Sequence, residues 1–214
     1  YEIGVRLVGS EMCIRDRYEV MVLPIFKIKG VTFDVTNGDK MENNKQAVIL
    51  IGHGGLPTDI PKEIVEDFMK IHKQRVRTGI DITSKEIELD STIRNWERTP
   101  ETDPYKSGLE KLAHHLATRL EGYILKTAYN EFCYPSIEQA ADELAKENVT
   151  EVILITTMIT PGGSHSEKEI PEEVDALRLK YPKMSFQYAW PYDLDIFSNL
   201  LSDHIIDFSK KSPV

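Results

Sequence analysis

Cysteine is almost missing from this chain, which has only Cys13 and Cys133 among its 214 residues. Two cysteines are too few for a disulfide framework or for a zinc cage built from paired CxxC motifs. Any metal that the protein binds therefore has to be held by histidine and carboxylate side chains. Cys133 itself is expected to be a small, inert residue.

Long apolar runs are missing as well. No stretch approaches the roughly 20 apolar residues that a membrane-spanning helix needs, and the N-terminus lacks the basic and then apolar layout of a secretory signal. We therefore expect a cytoplasmic protein that does not enter a membrane. Its hydrophobic content of 41% is enough for one well-buried core.

Positive charge is in short supply, because 26 Lys and Arg residues oppose 35 Asp and Glu residues, for a formal net charge of -9. Nonspecific nucleic-acid binding through counterion release requires a basic surface, so we do not expect it here. A local exception is the basic group formed by Lys73, Arg75, Arg77, Arg94 and Arg98. This group is either a solvated helix face or a patch that attracts the carboxylates of a polyanionic ligand.

Residues 1–40 show no helical period, and we predict that they form a leader outside the folded domain. Residues 1–17 carry a stretch that resembles a translated sequencing-adaptor read-through, a known contaminant of protein sets. Met41 is therefore the expected start of translation. The alternative is an additional N-terminal hairpin, because residues 18–26 and 31–35 are β-prone.

The remainder, residues 41–214, alternates apolar strands with helical patterns. The predicted strands are residues 47–51, 122–129, 152–159 and 184–190. The predicted helices are residues 61–77, a segment through Leu109 and Leu120, a segment from 135, a segment from 167 or 170 to 181, and a last one from Asp193. This alternation predicts a single three-layer α/β domain with a mostly parallel four-stranded sheet and right-handed crossovers.

Residues 78–104 interrupt this alternation, because they are polar and show no clean period. We predict a partly helical insertion in the first crossover, and segments of this length are usually functional or disordered. Ser107 and Glu110 then match a capping box, which predicts that the following helix begins there. The leucines of that helix, at 109, 112, 116 and 120, have the spacing of one helix face.

Two histidines stand at the ends of predicted buried strands: His53 follows the first strand, and His165 follows the third. Ligands bind beyond the carboxyl ends of the strands in an open parallel sheet, so the two imidazoles can converge on one crevice. Glu131 follows the second strand and belongs to the same edge. Two imidazoles and a carboxylate suit Fe(II), Co(II), Ni(II) or Zn(II), and three protein ligands leave coordination positions open for a substrate.

Each of these residues also has a structural interpretation. His53 is otherwise a histidine bonded to a loop carbonyl, and Glu131 is otherwise a solvated loop residue. His165 lies near a helix start that Ser164 or Ser166 can cap, and the positive end of that helix favours a neutral imidazole. The remaining histidines are weaker candidates, because no ligand-spaced partner accompanies them: His72, His114, His115 and His204.

Three separated segments carry a resemblance to a known family. Residues 49–54, ILIGHG, are similar to its strand and GHG segment, and residues 130–138, NEFCYPSIE, are similar to its ExxxP[ST]I segment. Residues 163–171, GSHSEKEIP, are similar to its HxxxDIP segment. The chain thus resembles the sirohydrochlorin cobaltochelatases, the class II tetrapyrrole metal chelatases, over roughly residues 46–210.

This resemblance implies a chelatase-like fold with a flavodoxin-like strand order, and it implies that His53, Glu131 and His165 are metal ligands and catalytic groups. The expected substrate contacts are Tyr134 and the segment Thr160, Pro161, Gly162, Gly163 and Ser164, whose backbone N–H groups near the helix start would receive macrocycle carboxylates.

The chain departs from the family pattern at four places. Gly55 replaces a serine, Glu169 replaces an aspartate, and Tyr134 stands where relatives often have an acidic substrate contact. The segment between His53 and Glu131 is also longer than in the short family members. These departures leave the choice of tetrapyrrole open.

The predicted activity is insertion of a divalent metal, with cobalt favoured over iron or nickel, into sirohydrochlorin or a related tetrapyrrole in cobalamin or siroheme biosynthesis. We expect no organic cofactor and a homodimer, because a single short lobe leaves one side of a large flat macrocycle uncovered. The alternative is a noncatalytic carrier or storage protein for divalent metals that uses the same ligands. A serine hydrolase is disfavoured, because the chain has no GxSxG nucleophile elbow.

Overall fold

Strand β1, Lys45–Gly52, lies at the centre of the sheet, and its residues 47–52 are all buried. Its neighbours are β2, Tyr123–Tyr129, and β3, Val149–Thr156, and the edge strand β4, Ser185–Tyr188, pairs with β3. The order is β2-β1-β3-β4 with every pairing parallel, as expected for strands covered on both faces. The predicted parallel α/β fold is confirmed.

The computed structural model describes residues 45–211. The leader, the adaptor-like stretch, the start at Met41 and the alternative hairpin all fall outside this range and stay predictions. Within the described range, no helix is both long enough and apolar enough to cross a membrane.

Helices cover both faces of the sheet. Helices α4, Ile137–Lys146, and α5, Ile170–Lys180, pack on one face, where their apolar residues form the main core with those of β1 and β3. Helix α3, Pro104–Ala117, covers the other face through Leu109 and Ala113, which pack with Leu50 of β1. The predicted three layers are therefore present.

The inserted segment, predicted at residues 78–104, is partly helical, as expected, because α2, Ser84–Arg94, lies within it. Helix α1, Lys62–Thr78, ends at Gly79 in a left-handed conformation, and α2 follows it. The two helices share a small apolar core of their own, built around Phe68, Leu89 and Ile93, against which Phe132 packs. Because Phe132 is adjacent to Glu131, this helical pair lies beside the carboxyl edge of the sheet.

Several boundaries differ from the sequence-based prediction. Helix α3 begins at Pro104, because Asp103 caps it by accepting a hydrogen bond from the Lys106 N–H at 2.9 Å, so Ser107 lies inside the helix. Its inward face consequently uses Ala113, while Leu112 is 49% exposed. Strand β3 also starts and ends three residues earlier than predicted, since Val149 and Glu151 already pair with β1.

Helix α6, Leu194–Lys211, starts one residue after the predicted position and buries none of its residues. It carries an apolar stripe that is open to solvent, with Leu201 48%, Ile205 65% and Phe208 66% exposed. A stripe of this size is unusual on the surface of a soluble monomer.

The capping residues provide a test of these helix boundaries. Ser136 caps α4 in a reciprocal capping box with Gln139, so Ser136→Ala should lower the free energy of unfolding by about 1 kcal/mol. Ser107→Ala, inside α3, should change it by less than about 0.5 kcal/mol. Urea denaturation of both variants measures the difference, and an equal loss for Ser107→Ala would mean that α3 starts at Ser107.

Candidate metal centre

Three side chains from three strand ends meet at the carboxyl edge of the sheet. His53 Nε2 lies 3.6 Å from Glu131 Oε2, and the His53 and His165 rings are 4.9 Å apart between centroids at an interplanar angle of 81°. One possible ligand atom from each residue lies within 4.8 Å of the other two. The structure therefore brings together the histidine pair and the glutamate that the sequence singled out, in a cluster that can hold a metal ion.

Backbone hydrogen bonds beyond the strand ends hold the first two residues together. The Asn130 N–H donates to the Gly52 carbonyl at 2.9 Å, and the Glu131 N–H donates to the His53 carbonyl at 2.8 Å. These bonds continue the β1–β2 ladder past the last paired residues, Gly52 and Tyr129. The spacing of His53 and Glu131 is thus set by the backbone.

Gly54 allows the two loops to approach this closely. It has a φ of +94°, and a Cβ atom built on it would lie 1.9 Å from the Glu131 carbonyl oxygen. Any other residue at this position would collide with backbone and adopt a conformation that side chains disfavour. The glycine after His53 is therefore required by the geometry of the site.

His53 is oriented by its own loop. Its Nδ1 lies 2.8 Å from the Gly54 carbonyl oxygen, which accepts only if Nδ1 carries the proton. Nε2, on the side facing Glu131 and His165, then has a free lone pair and can bind a metal ion. The loop-carbonyl bond that would explain a purely structural histidine thus also prepares His53 as a ligand.

His165 is oriented by Glu169 and Asn130. Its Nδ1 lies 2.8 Å from Glu169 Oε2, and the buried Asn130 amide donates to the same oxygen at 3.1 Å. Partial burial acts to raise the pKa of Glu169, but the hydrogen bonds from His165 and Asn130 outweigh it and leave this pKa lowered. An ionised carboxylate behind a histidine fixes the ring and increases its basicity as a metal ligand.

The helix start at His165 has an irregular form. Residues His165–Glu169 make one π-helical turn, closed by the Ile170 N–H donating to the His165 carbonyl, before α5 continues as a regular helix. Neither serine caps it: Ser164 makes no capping bond, and the Ser166 hydroxyl donates to the Met158 carbonyl at 2.9 Å. The expected serine cap is therefore wrong. Turns of this kind occur frequently at functional sites.

The segment from Thr160 to Ser164 forms an exposed loop that leads into His165. Within it, the Gly162 N–H already donates to Glu167 Oε1 at 2.6 Å, so this group is not free to receive a ligand carboxylate. Tyr134, the other expected substrate contact, is half-buried, and the Arg94 guanidinium lies 5.9 Å from the centre of its ring.

The basic group predicted from the sequence is split by the fold. Lys73 and Arg77 are exposed on α1, whereas Arg75 pairs with Glu86, whose side chain is only 1% exposed. Arg94 and Arg98 turn inward and donate to backbone carbonyls of the ligand loops. Arg94 and Arg98 are therefore structural, and neither proposed interpretation of the basic group holds for them.

Several residues of the site were not predicted. Asn130 and Glu169 orient His165, and Arg94 and Arg98 hold the loop of Glu131. The four-residue spacing of His165 and Glu169 was a usable signal, because residues four apart meet on one helix face. His72 of α1, which has no ligand-spaced partner in its own helix, lies with its Nδ1 3.1 Å from Glu86 Oε1 of α2. Burial raises the pKa of the Cys133 thiol, which agrees with the expected inert role.

Two histidines and a glutamate at the carboxyl edge of a parallel sheet are the arrangement that the sequence resemblance implied. The CbiX family model matches residues 101–199, a segment that includes Glu131 and His165, while His53 lies before it. A sirohydrochlorin cobaltochelatase from Priestia megaterium is 32% identical over 68 residues, which are 32% of this chain and 22% of that protein. The resemblance to this chelatase family is therefore confirmed, although the match spans less than a quarter of that relative.

Solved structures resemble the fold at low sequence identity. A CbiX protein from Marinobacter aquaeolei VT8 has a TM-score of 0.48 and 15% identity, and the match covers 78% of this chain and 99% of that chain. The sirohydrochlorin chelatase SirB from Bacillus subtilis subspecies spizizenii, in complex with cobalt, has a TM-score of 0.39 and 15% identity, with coverage of 69% and 43%. Both are too distant to place a ligand or a substrate in this chain.

Gly54 provides a sharp test of the site geometry. Gly54→Ala should weaken Co²⁺ binding by at least about tenfold, because the new methyl group forces the Glu131 loop away from His53. The matched control is Gly79→Ala, which has a similar φ of +67° and nothing within 4 Å of a built Cβ. Isothermal titration of both variants measures the effect, and equal affinities would exclude the close approach at Gly54.

Proposed function

We propose that this protein is a metal chelatase that inserts a divalent metal ion into sirohydrochlorin or a related tetrapyrrole. The observation that carries the proposal is the convergence of His53, Glu131 and His165 at one partly open edge of the sheet. The CbiX family match over the segment holding two of these residues supports it. Roles in cobalamin or siroheme biosynthesis and a cytoplasmic location belong to the same proposal.

The metal ion is a substrate in this reaction, so its ligands must release it as well as bind it. Three protein ligands leave coordination positions open, at which macrocycle nitrogens can bind first. The protein atoms can then be displaced one at a time. Imidazole and carboxylate together suit cobalt, iron and nickel. Which of these ions the protein inserts then depends on which is available. We favour cobalt, which the name of the relative from Priestia megaterium supports.

Metallation also requires bases. A free tetrapyrrole loses two pyrrole N–H protons as the metal ion enters, so the product is the metallated macrocycle and two protons. His53 Nε2 and Glu131 Oε2, which lie 3.6 Å apart, have free lone pairs once the metal ion has left them. We assign the first proton to one of these two groups, since both can act as a ligand and then as a base.

The exposed loop Thr160, Pro161, Gly162, Gly163 and Ser164, together with Tyr134, is the proposed macrocycle contact. The loop directly precedes His165, so a flat ligand that lies against the loop would reach the metal cluster. Glycines at 162 and 163 permit close approach of a ring to the backbone. Exposure of this loop leaves room for a large ligand.

An anaerobic absorbance assay tests the activity. Wild-type protein should change the visible spectrum of sirohydrochlorin when Co²⁺ is supplied, and His165→Ala should abolish this change while circular dichroism stays native. Glu169→Ala, which removes the partner of His165, should retain the fold and lose roughly 10- to 100-fold in metal affinity. Unchanged turnover in His165→Ala would refute the assignment. Repeating the assay with Fe²⁺ and with Ni²⁺ in place of Co²⁺ shows which metal ion the protein inserts.

The second candidate is a noncatalytic carrier of divalent metals, because the same three ligands can hold an ion without transferring it. Stoichiometric Co²⁺ binding by the wild type without a spectral change on adding sirohydrochlorin would favour the carrier. Macrocycle metallation at rates above the protein-free reaction favours the chelatase.

We also propose that the protein acts as a homodimer, in which a second copy covers α6. The stripe of Leu194, Leu201, Ile205 and Phe208 is 48–66% exposed, and the half-buried Phe197 extends it. The charges of α6 favour an antiparallel pair, since its first turn carries Asp195 and its last turn carries Lys210 and Lys211. Opposed helix dipoles add to this preference.

Sedimentation velocity tests the dimer. The wild type should sediment as a dimer, and Leu201→Glu should sediment as a monomer, because it places a charge in the middle of the stripe. Ser202→Glu, the next residue on the exposed helix but off the stripe, is the matched control and should leave the dimer intact. A monomeric wild type, or loss of the dimer in both variants, would contradict an α6 interface.

A further inference from the structure

The inserted segment contributes a buried arginine that touches both ligand loops. The Arg98 side chain is 4% exposed, and its Nη1 donates to the Gly55 carbonyl, two residues after His53, at 2.8 Å. Its Nη2 donates to the Phe132 carbonyl, one residue after Glu131. One guanidinium therefore joins the loop of His53 to the loop of Glu131.

The remaining contacts of Arg98 anchor it to the insertion. Nη2 also donates to the Ile93 carbonyl in α2 at 3.2 Å, and Nη1 pairs with the carboxylate of Asp103, which is 2% exposed and caps α3. A planar fork with several donors can serve these four oxygen acceptors at once, which a lysine ammonium with a single nitrogen cannot.

Phe132 shows why this loop needs external support. Its φ of +58° lies in the left-handed region that residues other than glycine, asparagine and aspartate rarely adopt. Such a conformation persists only where the surrounding structure enforces it. The bond from Arg98 to the Phe132 carbonyl provides this support immediately after Glu131.

Arg94 acts on the same loop. Its Nη1 donates to the Cys133 carbonyl at 3.2 Å and its Nη2 to the Asn130 carbonyl at 3.3 Å, while Asp90 holds its Nε at 2.8 Å. The carbonyls on both sides of Glu131 are thus bonded to guanidinium groups of the insertion.

We infer that Arg98, assisted by Arg94, is a positioning residue for the metal centre, and that the insertion serves to hold the His53 and Glu131 loops at ligand distance. The inference rests on the proposed function in that His53 and Glu131 are taken as metal ligands. Metal affinity would then depend on the insertion, which supplies no ligand to the cluster.

The test compares three conservative variants of the full chain: Arg98→Lys, Arg94→Lys and Arg75→Lys. Arg75 is the matched control, because it pairs with the buried Glu86 between α1 and α2 but bonds to neither ligand loop in the described part of the chain. The readouts are the Co²⁺ dissociation constant from competition with a chromophoric chelator, the visible absorption of bound Co²⁺, and thermal unfolding without metal.

Arg98→Lys should weaken Co²⁺ binding by about tenfold or more and change the shape of the Co²⁺ absorption band. Arg94→Lys should act in the same direction, and its partly exposed side chain makes it the deciding variant if Arg98→Lys does not fold. Arg75→Lys should lower the melting temperature and leave affinity and band shape unchanged.

Wild-type affinity in both Arg98→Lys and Arg94→Lys would overturn the inference, and so would an equal loss of affinity in Arg75→Lys, which would indicate a general effect of stability. A wild type that binds Co²⁺ but does not metallate sirohydrochlorin would refute the proposed function and leave the positioning role standing. A wild type that binds no Co²⁺ would overturn both.

Discussion

The backbone contact between the His53 and Glu131 loops is the constraint on which the rest of the site depends. The Glu131 N–H reaches the His53 carbonyl, and Gly54 lies so close to the Glu131 carbonyl that no side chain fits. Parallel strands make this contact possible, because adjacent strand ends finish at the same edge. The sheet register therefore brings the two ligand loops together, and Gly54 and the bonds from Arg98 and Arg94 keep them there.

The groups behind the ligands complete the arrangement. His53 is hydrogen-bonded to the Gly54 carbonyl of its own loop, whereas His165 is hydrogen-bonded to the Glu169 carboxylate, which also accepts from Asn130. The two imidazoles are consequently unequal in their surroundings: one is backed by a neutral acceptor and the other by a negative charge. A negative charge behind a ligand strengthens its bond to a cation, so the two histidines would hold a cation with unequal strength.

Sequence patterns predicted the elements that depend on local order. The strand ends predicted His53, Glu131 and His165, because the end of a buried apolar run is a local signal. Arg98 and its contacts to Gly55 and Phe132 cross more than 30 residues, and no local period indicates them. The start of α3 was wrong for a related reason: Ser107 fits the capping motif, but the buried Asp103 caps the helix and also pairs with Arg98. The last helix was predicted from its local pattern, while the exposure of its apolar stripe depends on what surrounds the helix.

The π-helical turn at His165–Glu169 places one residue more in that turn than a regular helix would. Helix α5 is fixed by Ile170, Val174 and Leu177 in the core, so its rotation about its own axis is not free. Each residue in a helix advances the side chain by about 100°, and the additional residue therefore sets the direction in which His165 leaves the helix. A single deletion between His165 and Ile170 would therefore turn the imidazole by about 100° away from His53 and Glu131.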